Sequence, residues 1–457
     1  MKCELIISVQ RLFLRIFLIA GTLFAIGRLV SLSFQFGKES LQMDFAAFYT
    51  AGEALNNGLS PYVNYAIRNP PIWDGVSVFR HSRFLYPPLA AVLFQPIALL
   101  PYSVAKYLWT LLQLICVSSS LCLAIGMLRL KSELEQLLVL AFFASTFYPL
   151  FTLLERGQID GVTLLLIVLA TRLIVIENRN TNIIAGLLWA LTTLLKLHCV
   201  YIVPFFIIRR KWAAIGGYII GIFGILLISL LTKPNLLIEY SKNLPRIAQF
   251  GEGGDEGMRL PAHVIQALRT SLPAGYVQKD NIVYRYESFQ FISNASIARS
   301  IAAALQRRGL NVQLSIVSVL AFLCFFVGIW MWQYRWLPQR LETFAAVLYW
   351  QSAWVIILLS APLTWVMNTV WFLPIMIDIL YILWKYNGNL LNKDWRLGVF
   401  VGIFGLVIAW MPDPILLAFL GSARLANTKY LLSGIFVLVS LLLMLEANLR
   451  ITIGQDA

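Results

Sequence analysis

Apolar stretches recur along the whole chain, separated by short polar connections. They fall at about 12–30, 86–100, 104–128, 134–154, 159–176, 183–208, 212–231, 313–333, 344–359, 366–384, 397–420 and 431–445. A helix needs roughly 20 apolar residues to cross the hydrocarbon core, and helices satisfy their own backbone there. The pattern therefore predicts an all-α polytopic membrane protein of about 10–12 spans, a single integral-membrane domain over 1–457. Two long polar segments, 34–85 and 233–312, interrupt the rhythm. The stretch 86–100 is short and bounded by prolines, and 183–208 is broken by Lys196-Leu197-His198, which predicts either one crossing or two half-depth helices.

Composition sharpens this reading. Of 457 residues 59% are apolar and only 13% charged, with a mean hydropathy of +0.76, which excludes an ordinary soluble enzyme. Lys plus Arg outnumber Asp plus Glu by 36 to 22, but the excess sits in short interspan loops, where it sets orientation and does not form a nucleic-acid surface. Lys2, Arg11, Arg15, the run 209–211, the segments 335–340 and 385–396, and Arg450 are placed in the cytoplasm, so both long loops fall outside. The first apolar run is too long for a signal-peptide core and is predicted to stay as an uncleaved span. Four of the five cysteines lie in apolar stretches and Cys3 is N-terminal, so no disulfide framework, cysteine metal site or lipid anchor is predicted.

The outer loops hold the densest polar chemistry. Met43 to Gly58 reads as a short surface helix, with Phe45, Phe48, Gly52 and Leu55 on one face and Asn57-Gly58 as its stop. Asp44 is either its N-cap or a carboxylate placed to take a proton from an incoming hydroxyl. Lys196 and His198 are ionisable groups in an apolar stretch, which marks a functional site unless Lys196 merely snorkels to an interface. Arg156 and Gln158 flank Gly157 at a span end, as a phosphate ligand and a sugar-orienting amide or simply as a flanking charge and its neighbour. His81 lies in a basic run, 79–83, that reads as a solvated or headgroup-binding patch unless His81 serves the site. The acidic glycine run 251–257 reads as a mobile gate or a plain turn, and Asp378 and Glu446 as structural groups near cytoplasmic ends.

The chain resembles glycosyltransferase family 87, multi-spanning enzymes of the GT-C class. The resemblance is carried by Asp44-Phe45 with Ala51, Gly58 and Pro61-Tyr62; Tyr86-Pro87-Pro88; Gly157-Gln158; Leu195-Lys196 with Pro204 and Arg209-Arg210; Asn294-Ala295-Ser296; and Pro362-Leu363-Thr364-Trp365 with Pro374. These run in family order from about residue 40 to 385. The resemblance implies inverting transfer of a hexose, most often mannose, from a polyprenyl-phosphate carrier to a glycolipid or glycan acceptor outside the cell membrane. It makes Asp44 the general base, Lys196 and then His198 and Arg156 the donor-phosphate ligands, and Tyr86, Asn294 and Trp365 substrate-side elements. No Asp-x-Asp pair occurs, so neither a catalytic metal nor a cofactor is expected beyond the lipid-linked donor. One departure stands out: where the family has an acidic residue and histidines, this chain reads Val366-Met367-Asn368-Thr369. Asn368 can hydrogen-bond a sugar or phosphate but cannot titrate, and His81 is a possible substitute. A flippase for lipid-linked sugars, sharing the carrier groove without the chemistry, is the competing reading. The clustering of interrupted helices in the first half weighs against it.

Overall fold

The computed structural model describes residues 2–38, 43–62, 84–128, 133–248, 296–306, 308–310, 312–338, 341–385, 393–412, 415 and 423–455. His81, Asn294 and the run 251–257 lie outside the described residues. Among those described there are 17 α-helices and no β-strand. In chain order they are α1 (Lys2–Lys38), α2 (Met43–Asn56), α3 (Pro88–Phe94), α4 (Tyr102–Met127), α5 (Leu134–Thr146) and α6 (Tyr148–Arg156). Then come α7 (Asp160–Val175), α8 (Arg179–Leu195), α9 (Val203–Ile208), α10 (Trp212–Thr232), α11 (Pro234–Ala248) and α12 (Ile297–Gln306). The last are α13 (Leu314–Trp336), α14 (Thr343–Ser360), α15 (Leu373–Lys385), α16 (Lys393–Trp410) and α17 (Ala423–Gln455).

Seven helices among the described residues are long and apolar enough to cross a membrane, eight if α5 and α6 count as one span bent by 49°. That bend has a local cause: Phe147 is extended and Pro149 occupies the first turn of α6, where it cannot continue the α5 ladder. That figure leaves out α7 and α8, with 16 and 17 residues, and the apolar stretch Trp395–Trp410 of α16, which are shorter than the helices counted. The stretch 86–100 is not a span. Prolines 87, 88, 96 and 101 cut it into α3 and a 3-10 turn at Ile97–Leu99.

The predicted break at Lys196 is present. α8 ends there, Lys196 is extended, and the chain continues as a 3-10 helix, Leu197–Ile202, and then α9. Lys211 donates to Glu177 at 3.0 Å, so the segment between them leaves one end of the bundle and returns to it. The stretch 183–208 is thus two helical legs and not one crossing. Arg209 donates to the Pro338 carbonyl at 3.0 Å, which brings two of the basic turns read as cytoplasmic to that same end.

Lipid-facing and core helices separate cleanly. Phe13, Phe17 and Phe24 of α1 and Ile220, Phe223 and Leu231 of α10 are exposed, whereas every residue of α14 from Ala345 to Ser360 is buried. Apolar burial gives little drive for helix association in lipid, so close backbone approach matters instead. α8 and α10 meet at Gly186, Gly217 and Gly221, and α16 and α17 at Gly398, Gly402 and Gly405, where a Cβ would collide with the facing helix.

Candidate functional site

Opposite the Glu177–Lys211 end, a buried polar cluster gathers side chains from α2, α6, α7, α8 and the 3-10 helix Val366–Phe372. α2 forms much as the sequence predicts. Phe45 and Phe48 are fully buried, Phe48 stacks on Phe94 of α3, and Gly52 lies against the Phe94 carbonyl. Gly58, with φ of 71°, closes the helix. α11 packs over this platform: Leu236 joins the same apolar cluster, Glu239 bonds Ser60, and Tyr240 lies against Tyr62.

Asp44 is not the N-cap. The helix begins at Met43, and the Asp44 carboxylate turns to Arg156, which donates to one oxygen through Nε at 2.6 Å and to the other through a terminal nitrogen at 3.1 Å. Asp44 is 4% exposed. Arg156 is the last residue of α6, and Gly157 behind it takes φ of 67°, a left-handed turn that suits glycine. Trp109 of α4 donates to the Gly157 carbonyl at 2.8 Å and locks that turn. The chain then reverses into Gln158 and Asp160.

Gln158 accepts from the Tyr86 phenol at 2.9 Å and from the Ile159 backbone at 3.2 Å. Burial pushes the Tyr86 phenol well above its ordinary range, and the nearby Asp44 and Asp160 carboxylates push it further. The Tyr86 backbone carbonyl is held by the Tyr62 hydroxyl at 3.1 Å.

Asp160, the first residue of α7, is fully buried and went unnoticed in the sequence. Lys196 Nζ stands 2.8 Å from both of its oxygens, and Asn368 Nδ2 donates to Oδ1 at 2.7 Å. Asn368 in turn accepts from the Trp365 backbone N–H at 2.6 Å. The amide that departs from the family pattern is thus engaged at both ends within the protein. His198 joins none of these hydrogen bonds: its ring sits 6.4 Å from that of Trp371, and its buried Nε2 meets no hydrogen-bond partner. Asp160 had one readable signal, a carboxylate one residue inside the apolar run that follows Gly157-Gln158.

An apolar cavity of about 250 Å³ is lined among others by Phe143, Phe147, Phe372, Met376, Leu406 and Trp410. Phe147 begins the stretch that ends at Arg156, and Phe372 closes the 3-10 helix that carries Asn368. Two short elements therefore connect the cavity to the ion pairs.

The sequence description of glycosyltransferase family 87 matches residues 84–324, more than half of the chain. The chain belongs to glycosyltransferase family 87. It is a membrane glycosyltransferase, acting on sugar donor and acceptor substrates at a lipid bilayer. No curated protein and no solved structure matches it. The matched segment includes Tyr86, Arg156, Gln158, Asp160, Lys196 and His198; Asp44, Trp365 and Asn368 fall outside it and join the site through the fold.

Proposed function

We propose that this glycosyltransferase moves a hexose, mannose first, from a polyprenyl-phosphate carrier to a lipid or glycan acceptor on the extracytoplasmic face, in a GT-C-like arrangement and with inversion. The observation that carries the reading is the pairing of Asp44 with Arg156 next to a second cation, Lys196, in one buried cluster. In this scheme the acceptor hydroxyl oxygen attacks the anomeric carbon, its proton passes to Asp44, and the carbon–oxygen bond to phosphate breaks, releasing polyprenyl phosphate. Arg156 and Lys196 are the cations that meet the phosphate as it departs. Gln158 and Tyr86 order the sugar, and the carrier's tail enters the apolar cavity. The scheme calls for no metal and no cofactor.

The test is transfer of label from radiolabelled polyprenyl-phosphate mannose to extracted membrane glycolipids by the purified protein in lipid, with Asp44→Asn alongside. Transfer that disappears in the variant supports donor and base together. Transfer undiminished in the variant overturns the base assignment, and no transfer from the mannosyl, glucosyl or arabinosyl carriers overturns the donor class.

A further inference from the structure

Three separate elements converge on one carboxylate. Asp160 opens α7, Lys196 stands at the break that ends α8, and Asn368 lies in the 3-10 helix Val366–Phe372, 208 residues further along the chain from Asp160. Both oxygens of Asp160 are engaged, and the residue is fully buried.

As a purely structural device this is a poor choice. Two charges taken out of water gain little over a well-packed apolar pair, because their desolvation offsets their attraction. The geometry supplies another reason for them. An ammonium has three N–H donors, and its position is set by whatever carboxylate it faces. Asp160 faces Lys196 from α7, Asn368 donates to the same carboxylate, and the short turn from Arg156 to Asp160, whose Gln158 accepts from the Tyr86 phenol, links this group to the Asp44–Arg156 pair. Lys196 is thereby held at a fixed place, with its partner Asp160 four residues along the chain from Arg156.

We infer that Asp160 is a positioning residue, which fixes the Lys196 ammonium so that its remaining donors meet the phosphate of a lipid-linked substrate, with Asn368 as the brace that holds Asp160. The inference rests on the reading that the donor is a lipid phosphate. It assigns Asn368 a place behind Asp160 and not against the sugar.

The test separates anchoring from folding. A polyprenyl monophosphate, which carries the phosphate and no sugar, is titrated onto the protein in nanodiscs, and donor kinetics are measured in parallel. The variants are Asp160→Asn, Lys196→Met and the two combined; the combined variant leaves neither charge without its partner. We expect the combined variant to unfold at the wild-type temperature yet to bind the monophosphate at least tenfold more weakly. Its donor KM should rise in proportion, and its kcat should fall as well, because the departing phosphate gains charge as the bond breaks. Asp160→Asn alone should raise KM by several-fold, with Asp160→Glu recovering part of the loss. A combined variant that binds and transfers like wild type would show a structural pair only. Wild-type KM in Asp160→Asn beside a raised KM in Lys196→Met would show that Lys196 acts without its anchor. Either result overturns the inference while leaving the lipid-phosphate reading standing. If the wild-type protein does not bind the monophosphate, both fall.

Discussion

Arg156 holds both oxygens of Asp44 across 112 residues of chain, joining the last residue of a bent span to the first turn of α2. Removing the cation would leave a 4%-exposed carboxylate without this partner. Breaking a buried pair costs about 3–5 kcal/mol, and the partial exposure of Arg156 reduces this to about 1–3 kcal/mol for Arg156→Met. Thermal unfolding in detergent should show that loss. Combining Arg156→Gln with Asp44→Asn should recover most of it, without recovering transfer.

Asn368 donates to Asp160, so the shape of the residue matters less than its N–H. Asn368→Asp is nearly isosteric but places a second carboxylate against the first, and like charges at such range repel strongly. We expect Asn368→Asp to fold less well than Asn368→Ala at neutral pH, the opposite of what side-chain volume predicts. Yield of monodisperse protein and unfolding temperature check the order.

The α8–α10 seam can be probed by two adjacent glycines. A Cβ on Gly217 would run into the Ile183 carbonyl, whereas one on Gly216 meets nothing within 4 Å. Gly217→Ala should lower stability by about 1–3 kcal/mol through overpacking, while Gly216→Ala should be neutral or slightly stabilising. Because α8 delivers Lys196, donor KM should rise in the first variant and stay level in the second.

Gln113 of α4 accepts the Gly161 N–H at 2.8 Å and is itself fully buried. It fixes the first turn of α7, directly beside Asp160. Gln113→Met keeps the volume and strands that N–H, at a cost of about 1–3 kcal/mol. Amide hydrogen exchange at the start of α7 should accelerate; unchanged protection there would mean that Gln113 does not set the turn.

What the sequence disclosed follows from the range of each signal. Spans such as α4 and α13 are legible because lipid demands a long apolar run, and the break at Lys196 is legible because a lysine interrupts one. The role of Asp160 was not, since a carboxylate just inside an apolar run resembles a flanking charge until Lys196 and Asn368 fold against it. Asp44 looked like a helix cap for the same reason: its partner lies 112 residues away. The 86–100 stretch was apolar enough to be read as a span, and only its prolines foretold the short α3.

The spacing of the cluster along the chain also orders its assembly during synthesis. Asp160 and Lys196 are 36 residues apart on consecutive helices, so the two opposite charges reach the bilayer almost together, and each has a counter-charge at hand. Asp44 must wait 112 residues for Arg156, but it waits on α2, which is outside the candidate spans. Asn368 reaches Asp160 from 208 residues downstream, long after the ion pairs have been made. The group that arrives last is the one that carries no charge.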